Sequence, residues 1–527
     1  MQLLPLSFVF PHATGVVSKA MSRRIARCRR PHLLLCLLAV GVLSGGAGAA
    51  PTGGCPCPEP KPGQVLSSPF PRSVSLYART ALERPDGSVV VAGTLQVGPQ
   101  HPGSEPTAAL ALGGFRVDGR PAASFGARGS SVRSGAAGYP YIDALAAQPD
   151  GRILVGGWDG TAPFVARHTA DGELDETFGV AGIVRGARPV DTLGATTLAL
   201  RALGDGTIAV VQAVRQPVDT DRSAPGGLVF LRLRPDGKAI TTAFYSAPEF
   251  TPNRQNQYAG WADGSVQADG SIVVAGSVPE QGPSEESHQI FIVRRFHADG
   301  SVDRSFGQGG RTLTKIGTDT YAYDLAVAPD GSLLVSGTSG SSGGTFAVAR
   351  YLPDGLLDRS FGSSGTFALS FGDERGVAER VAFASDGGVV LAGPPGLIVR
   401  LDRNGRLDTS FGDGGRTPFT GSRVAGLLPE ADGGIRVAGS SGSAFRLHRV
   451  TRDGVVDAAF GENEAVAGLS PRGVNAVAAR RRGDAVLAGW IDSGRGRIAA
   501  HIVRTRFPTS GNEFGRNGEV TVQRGRS

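Results

Sequence analysis

Ala326–Gly337 reads AVAPDGSLLVSG, and after an eight-residue gap Phe346–Phe371 reads FAVARYLPDGLLDRSFGSSGTFALSF. Apolar and β-branched runs of five or six residues are punctuated here by Asp-Gly turns, with a residue period of two rather than 3.6. Tyr323–Ala328 and Ser332–Ser336 flank Pro329-Asp330-Gly331 and predict a hairpin. Phe346–Tyr351 predicts a third strand and Thr366–Phe371 a fourth. A unit this short cannot bury a core alone, so it must stack on copies of itself.

The copies are present. Anchored on the Phe of the Phe-Gly step, the unit recurs at Phe125, Phe178, Phe244, Phe306, Phe361, Phe411, Phe460 and Phe514. A second anchor is a turn glycine followed six residues later by another, as in Gly151/Gly157, Gly331/Gly337 and Gly433/Gly439. In the third unit Gly206 is followed by Gln212 instead, and Phe244-Tyr245 replaces Phe-Gly. Helices find no room, because 79 Gly and 34 Pro interrupt every candidate window.

Four short antiparallel strands per unit predict an all-β protein, a β-propeller of about eight blades over residues 73–525. The alternatives are seven blades, with unit three divergent, or a β-solenoid. The first unit opens with an inner strand and the last closes with an outer one. Ring closure could therefore draw on Val65–Pro71 as an extra strand.

The turn strings Asp171-Gly-Glu-Leu-Asp-Glu-Thr-Phe-Gly, Asp299-Gly-Ser-Val-Asp-Arg-Ser-Phe-Gly and Asp354-Gly-Leu-Leu-Asp-Arg-Ser-Phe-Gly carry a family likeness. With the copies that begin at Asn404 and Asp453, they resemble the delta-60 repeat of secreted bacterial β-propeller-type proteins. Units one, three and eight depart from the pattern, with Ala122, Thr241 and Gly511 in place of the second Asp. The resemblance implies a propeller and no particular activity or catalytic residue.

Residues 1–49 carry six basic groups and no acid, an apolar run at Leu33–Leu43, and Ala47-Gly-Ala49. They predict a secretory signal peptide, with Met21 as an alternative start, since eleven apolar residues are too few to span a bilayer. Residues 50–72 read as a flexible Pro/Gly-rich segment. Without the leader, 48 basic residues face 47 acidic ones. No surplus remains to neutralise phosphates, which argues against a nucleic-acid partner. The expected location is outside the cell, in the periplasm or on the cell surface. Cys55 and Cys57 flank a single Pro; lipidation at Cys55 is an alternative to a free tether.

Three patterns are candidate sites. An Arg precedes the turn Gly by five residues in seven units, and five of these also carry the Asp eight residues on. The pairs are Arg167/Asp175, Arg295/Asp303, Arg350/Asp358, Arg400/Asp408 and Arg449/Asp457. An identical pair in every blade reads as scaffolding; a ring of guanidinium groups for an anionic ligand is the alternative. Asp402, Asn404 and Asp408 surround a Gly turn and supply oxygens of the kind calcium takes, although Asx turns use the same residues. No other cofactor is expected. Trp158 and Trp490 occupy one repeat position, directly after the Gly that ends the second strand. An exposed indole there would stack on a sugar or peptide; a packing role is the other reading.

No H-E-x-x-H, G-x-S-x-G or P-loop occurs. The sequence therefore predicts a non-catalytic binding or scaffolding module whose partner is a protein or a polysaccharide. A propeller-type hydrolase or polysaccharide-degrading enzyme is the alternative, because propeller active sites draw residues from different blades and leave no local signature.

Overall fold

The computed structural model describes residues 74–97, 107–116, 121–133, 140–187, 192, 194–219, 222–247, 260–280, 288–340, 344–372, 374–419, 421, 423–441, 444–457, 470–479, 485–492 and 498–505. The predicted signal peptide, the 50–72 segment, the strand at Val65–Pro71 and both Cys55 and Cys57 lie outside them.

The described residues form eight antiparallel sheets, each a meander of consecutive strands. Blade 1 holds β1 (Val74–Glu83), β2 (Val89–Val97), β3 (Thr107–Phe115) and β4 (Ser130–Arg133). Blade 2 holds β5 (Tyr141–Ala147), β6 (Ile153–Trp158), β7 (Pro163–His168) and β8 (Ile183–Arg185). Blade 3 holds β9 (Gly194–Ala202), β10 (Ile208–Asp219), β11 (Arg222–Leu233) and β12 (Ala239–Tyr245). Blade 4 holds β13 (Gly260–Val266), β14 (Ile272–Pro279), β15 (Gln289–Phe296) and β16 (Arg311–Thr314). Blade 5 holds β17 (Thr320–Val327), β18 (Leu333–Ser339), β19 (Thr345–Tyr351) and β20 (Thr366–Ser370). Blade 6 holds β21 (Arg380–Phe383), β22 (Val389–Gly393), β23 (Leu397–Leu401) and β24 (Arg416–Pro418). Three strands are described in each of the last two blades: β25 (Arg423–Pro429), β26 (Ile435–Ser441) and β27 (Ala444–Val450), then β28 (Ser470–Ala479), β29 (Ala485–Asp492) and β30 (Ile498–Thr505).

The first strands touch one another in chain order, and β28 returns to touch β1. The ring is closed with eight blades, an all-β propeller. Unit three makes a complete four-stranded blade in spite of its departures, so the seven-blade and solenoid alternatives fall away.

The core lies between blades, and the period of two explains why. Successive residues of β18 face opposite neighbours: Leu333 and Val335 pack against blade 4, whereas Leu334 packs against blade 6. Second strands are accordingly buried on both faces, as in β6 and β18, and each such aliphatic side chain contributes about 1.5–3 kcal/mol. The hairpin turns follow local chemistry. Asp330 Oδ1 accepts the amide of Ser332 at 2.8 Å, and the Gly331 amide donates to the Ala328 carbonyl at 3.0 Å.

The second anchor glycine has a packing cause. First strands carry a one-residue bulge, for example between Ile142 and Ala144, Trp261 and Asp263, and Ala322 and Asp324. The bulge drives a carbonyl onto the facing second strand: a Cβ on Gly337 would lie 1.8 Å from the Tyr321 oxygen. No side chain fits there. In blade 3 the facing residue is Gln212, opposite Thr197, and the extra residue of the bulge is Leu198 of β9. The Gln212 side chain donates instead to the Gly157 carbonyl at 3.2 Å and the Thr197 hydroxyl at 3.0 Å.

Candidate functional site

The repeated turn motif joins blade to blade. In blades 2, 4, 5, 6 and 7 the third-strand Arg pairs with the Asp eight residues later. Arg167 Nε donates to Asp175 Oδ2 at 2.8 Å, and the matching distances are 2.7 Å for Arg295/Asp303 and for Arg350/Asp358. Arg400 Nε stands 3.1 Å from Asp408 Oδ2, and Arg449 Nη1 donates to Asp457 at 2.8 Å. The same guanidinium then crosses to the next blade's turn. Arg295 Nη1 donates to the Pro353 carbonyl at 2.8 Å, Arg350 to Arg403 at 2.5 Å, Arg400 to Arg452 at 3.3 Å, and Arg167 to Pro235. A planar donor fork suits this double duty in a way that a Lys ammonium does not.

The Phe-Gly step makes the second half of the joint. The amides of Gly126, Gly179, Gly307, Gly362 and Gly412 donate to the carbonyls of Asp171, Asp236, Asp354, Asn404 and Asp453 in the following blade, at 2.6–2.9 Å. The Phe rings at 125, 178, 306, 361 and 411 are fully buried. Phe361 lies beneath the turn at Gly405, where φ is +74° and a Cβ would stand 2.6 Å from the ring. The Arg350 guanidinium lies over the same ring, 4.6 Å from its centroid. Burial alone would raise the Asp175, Asp303 and Asp358 carboxyls. Hydrogen bonds from Thr177, Ser305 and Ser360, with the partner arginines, hold them below the ordinary carboxylate value.

Blade 3 departs from this joint. Phe244 is 41% exposed, and Phe230 of β11 takes its place under the next blade's Gly300. Arg232 turns to Asp205 at 2.9 Å.

A second set of polar residues sits on the first strands, which face the axis. Asp143 of β5 accepts the Thr197 amide at 3.0 Å, Asp263 of β13 the Leu325 amide at 3.2 Å, and Asp324 of β17 the Val381 amide at 2.8 Å. Glu379, just before β21, accepts the Val424 amide at 2.6 Å. Each of these bonds also runs to the following blade. Burial pushes Asp143 up to about 7; Thr197 and the more distant Arg79 oppose the shift only in part, and Oδ1 of Asp143 is buried without a partner. Asp263 is likewise pushed up to about 7, by burial and then by the negative charge of Asp324. Burial raises Asp324 as well, against the pull of Arg380, whose Nη1 lies 3.8 Å from its Oδ1. Chemically, Asp143 and Asp263 are carboxyls that hold a proton near neutrality.

Asp402 and Asp408 do not converge on a common centre. Asp402 Oδ1 accepts the amides of Asn404 and Arg406 at 2.9 and 2.8 Å, and Asp408 serves Ser410 and Arg400. Among the described residues no group of three or more acids, His or Cys is arranged to hold a metal ion. Trp158 is 4% exposed and packs in the interface of blades 2 and 3 beside Phe178 and Val214, which is the packing role of the two readings and not an open stacking platform. Trp490 lies in β29, opposite Gly473 and Ala500, and its side chain is outside the described residues. The axis carboxylates were not singled out from sequence. Their signal is an acid within an otherwise apolar first strand, as in Tyr141-Ile-Asp143-Ala-Leu.

The topology and the joints define a β-propeller repeat protein. Residues 148–178, 267–306 and 328–361, in blades 2, 4 and 5, match the model of a family described as a domain of unknown function (DUF5122) beta-propeller. No curated protein matches the chain. Among solved structures the chain is similar to a puromycin hydrolase, at 13% identity and a TM-score of 0.41, over 82% of this chain and 61% of that one. It therefore spans under two thirds of that protein's length. It is also similar to an α-L-arabinanase of Penicillium chrysogenum, at 10% identity and TM-score 0.35, over 85% and 98% of the two chains. A third likeness is to the polysaccharide lyase Uly1, at 10% identity and TM-score 0.37, over 89% and 94%. In the described residues no helix is long and apolar enough to cross a membrane.

Proposed function

We propose that the chain is an exported, non-catalytic propeller of the delta-60 type that acts as a binding or scaffolding module at the cell envelope or outside the cell. The observation that carries this reading is the use of its polar groups. The Arg, Asp and Asx groups of the repeated motif are spent on joining blades, and the axis carboxylates are bonded to neighbouring amides. Such a ring is a rigid platform, and specificity on a platform is carried by the loops that vary between copies. The leader supports export, and the occupant is a protein or a polysaccharide; Cys55 offers a lipid anchor as a variant of the same placement. Thermal melting of the purified chain with soluble envelope polysaccharides tests this. Saturation at one hundred times Kd raises stability by about 2.7 kcal/mol, and no shift with any glycan would leave a protein ligand, sought by pull-down.

A hydrolase is the second reading, favoured by the axis pair Asp263 and Asp324 beside Arg380, since a carboxyl held near 7 is suited to general acid work. Turnover of a glycan or peptide substrate that Asp263→Asn abolishes without lowering the melting temperature would establish it.

A further inference from the structure

The outer rim between blades 1 and 2 brings two like charges face to face. Arg133 of β4 stands opposite Leu110 of β3, and Arg185 of β8 stands opposite Phe164 of β7. Directly opposed residues of an antiparallel pair share one face of the sheet. Leu110 and Phe164 both belong to the core between these two blades, so each guanidinium is turned toward the other blade. At the matching places the rim holds Thr314 and Ala368 between blades 4 and 5, and Leu369 and Arg416 between blades 5 and 6. No two charges meet there.

The nearby carboxylate is already engaged. Asp159, in the turn between β6 and β7, accepts the amides of Thr161 and Ala162 at 2.9 Å and the Thr161 hydroxyl at 2.6 Å, all through Oδ1. Its Oδ2 takes Arg185 Nε at 2.8 Å. Among the described residues no hydrogen bond or ion pair engages Arg133. Burial and then the like charge of Arg185 pull Arg133 below its ordinary value, and Asp159 opposes this only in part. Burial above all, with Arg133, likewise holds the neighbouring His168 below its ordinary value. The Arg185 side chain is 51% exposed and Arg133 is exposed too, so the pair is open to solvent.

We propose that Arg133 and Arg185 form a binding site for a tetrahedral oxyanion of the kind a sulfated polysaccharide carries, a proposal that rests on the reading of the chain as a binding module. A guanidinium fork matches a pair of acceptor oxygens. A carboxylate has one such pair and fills one fork, whereas a sulfate ester keeps three free oxygens and serves forks from two sides. Arg133 offers all of its N–H groups, and Arg185 offers those of its Nη atoms, since Asp159 occupies Nε. Two guanidinium groups less one carboxylate leave a single positive charge, which one sulfate ester neutralises.

The test is melting temperature and titration calorimetry of the full chain with sodium sulfate and with dextran sulfate. Sodium chloride at equal ionic strength and neutral dextran are the references. Wild type is compared with Arg133→Gln and with the control Arg452→Gln, whose side chain is 73% exposed on blade 7. Sulfate should raise the wild-type melting temperature above that in chloride, and dextran sulfate should bind. Arg133→Gln should melt as the wild type does in chloride, because Arg133 has no partner to lose. It should lack the sulfate-specific rise and bind dextran sulfate about tenfold more weakly, while Arg452→Gln should match the wild type. A rise with inorganic sulfate but no binding of dextran sulfate would keep the site and make the free ion its ligand. Equal responses to sulfate and chloride, or wild-type affinity for dextran sulfate in Arg133→Gln, would overturn the proposal. If a neutral glycan binds all the same, the binding module stands and only this site falls.

Discussion

Replacing Phe361 by Ala removes the ring that blade 5 inserts beneath the turn of blade 6. The side chain is fully buried, in contact with the Gly405 turn and with the Arg350 guanidinium 4.6 Å from its centroid. A buried Phe→Ala change costs about 3–5 kcal/mol through lost transfer and the remaining cavity, and the cation–π contact adds about 0.5–1 kcal/mol. Phe244→Ala is the control, because it has the same chemistry at the same repeat position but a ring 41% exposed; it should cost under about 1 kcal/mol. Gly405→Ala completes the set. At φ +74°, with the Gly362 amide 2.6 Å from the new Cβ, it should cost about 2–4 kcal/mol through backbone strain and overpacking. The ring of Phe361 is one of the two obstacles to that Cβ, so the double variant should cost less than the sum of the single ones. Urea unfolding followed by tryptophan fluorescence and circular dichroism measures all four proteins. Equal losses in Phe361→Ala and Phe244→Ala would refute the reasoning, since the joint would then contribute nothing beyond surface burial.

Arg350→Lys keeps the charge but cannot serve Asp358 at 2.7 Å and the Arg403 carbonyl at 2.5 Å together. It should destabilise by about 1–2 kcal/mol in the same urea assay. Trp158→Ala should lower the melting temperature sharply, with a cost of about 3–5 kcal/mol, because the indole is packed between blades 2 and 3. The pH dependence has two limbs. Asp143 and Asp263 lie at about 7 in the fold against an ordinary 3.8, so their contribution is complete below about pH 4 and is lost as pH rises through 7. The joint aspartates Asp175, Asp303 and Asp358 are held low, so theirs is present above the ordinary carboxylate value and is lost as pH falls below it. Melting temperature should therefore peak at about pH 4 and fall on both sides of it, and Asp143→Asn should shrink the fall on the alkaline side, up to about pH 7.

The fold was legible because both sequence anchors answer to hard geometric limits repeated in blade after blade. Gly337 has a carbonyl where its Cβ would be, and Phe361 with Gly405 fills one inter-blade joint. Selection on such contacts leaves a register that survives even in a divergent copy. The eight-residue spacing of Arg350 and Asp358 pointed to a pair within one blade. The reach of the same Arg to residue 403 was hidden, since its partner is a backbone carbonyl and carbonyls have no sequence signature. The axis carboxylates were hidden for a related reason. Asp263 and Asp324 share one repeat position and Asp143 lies one residue earlier in its unit, each at or beside a bulge whose place is set by pairing rather than by residue type. For Trp158 the sequence left a stacking platform and a packing role both open: β6 runs through the residue after Gly157, and the indole is directed into the blade interface rather than out of a loop.

The central claim is that the repeated motif joins blades and is not a ligand site. Native-state hydrogen exchange at the amides of Gly126, Gly179, Gly307, Gly362 and Gly412 tests it most directly. The account predicts strong protection in the free protein, and faster exchange at Gly362 alone in Phe361→Ala. Rapid exchange at all five in the free protein, slowed only when an anionic ligand is added, would contradict it.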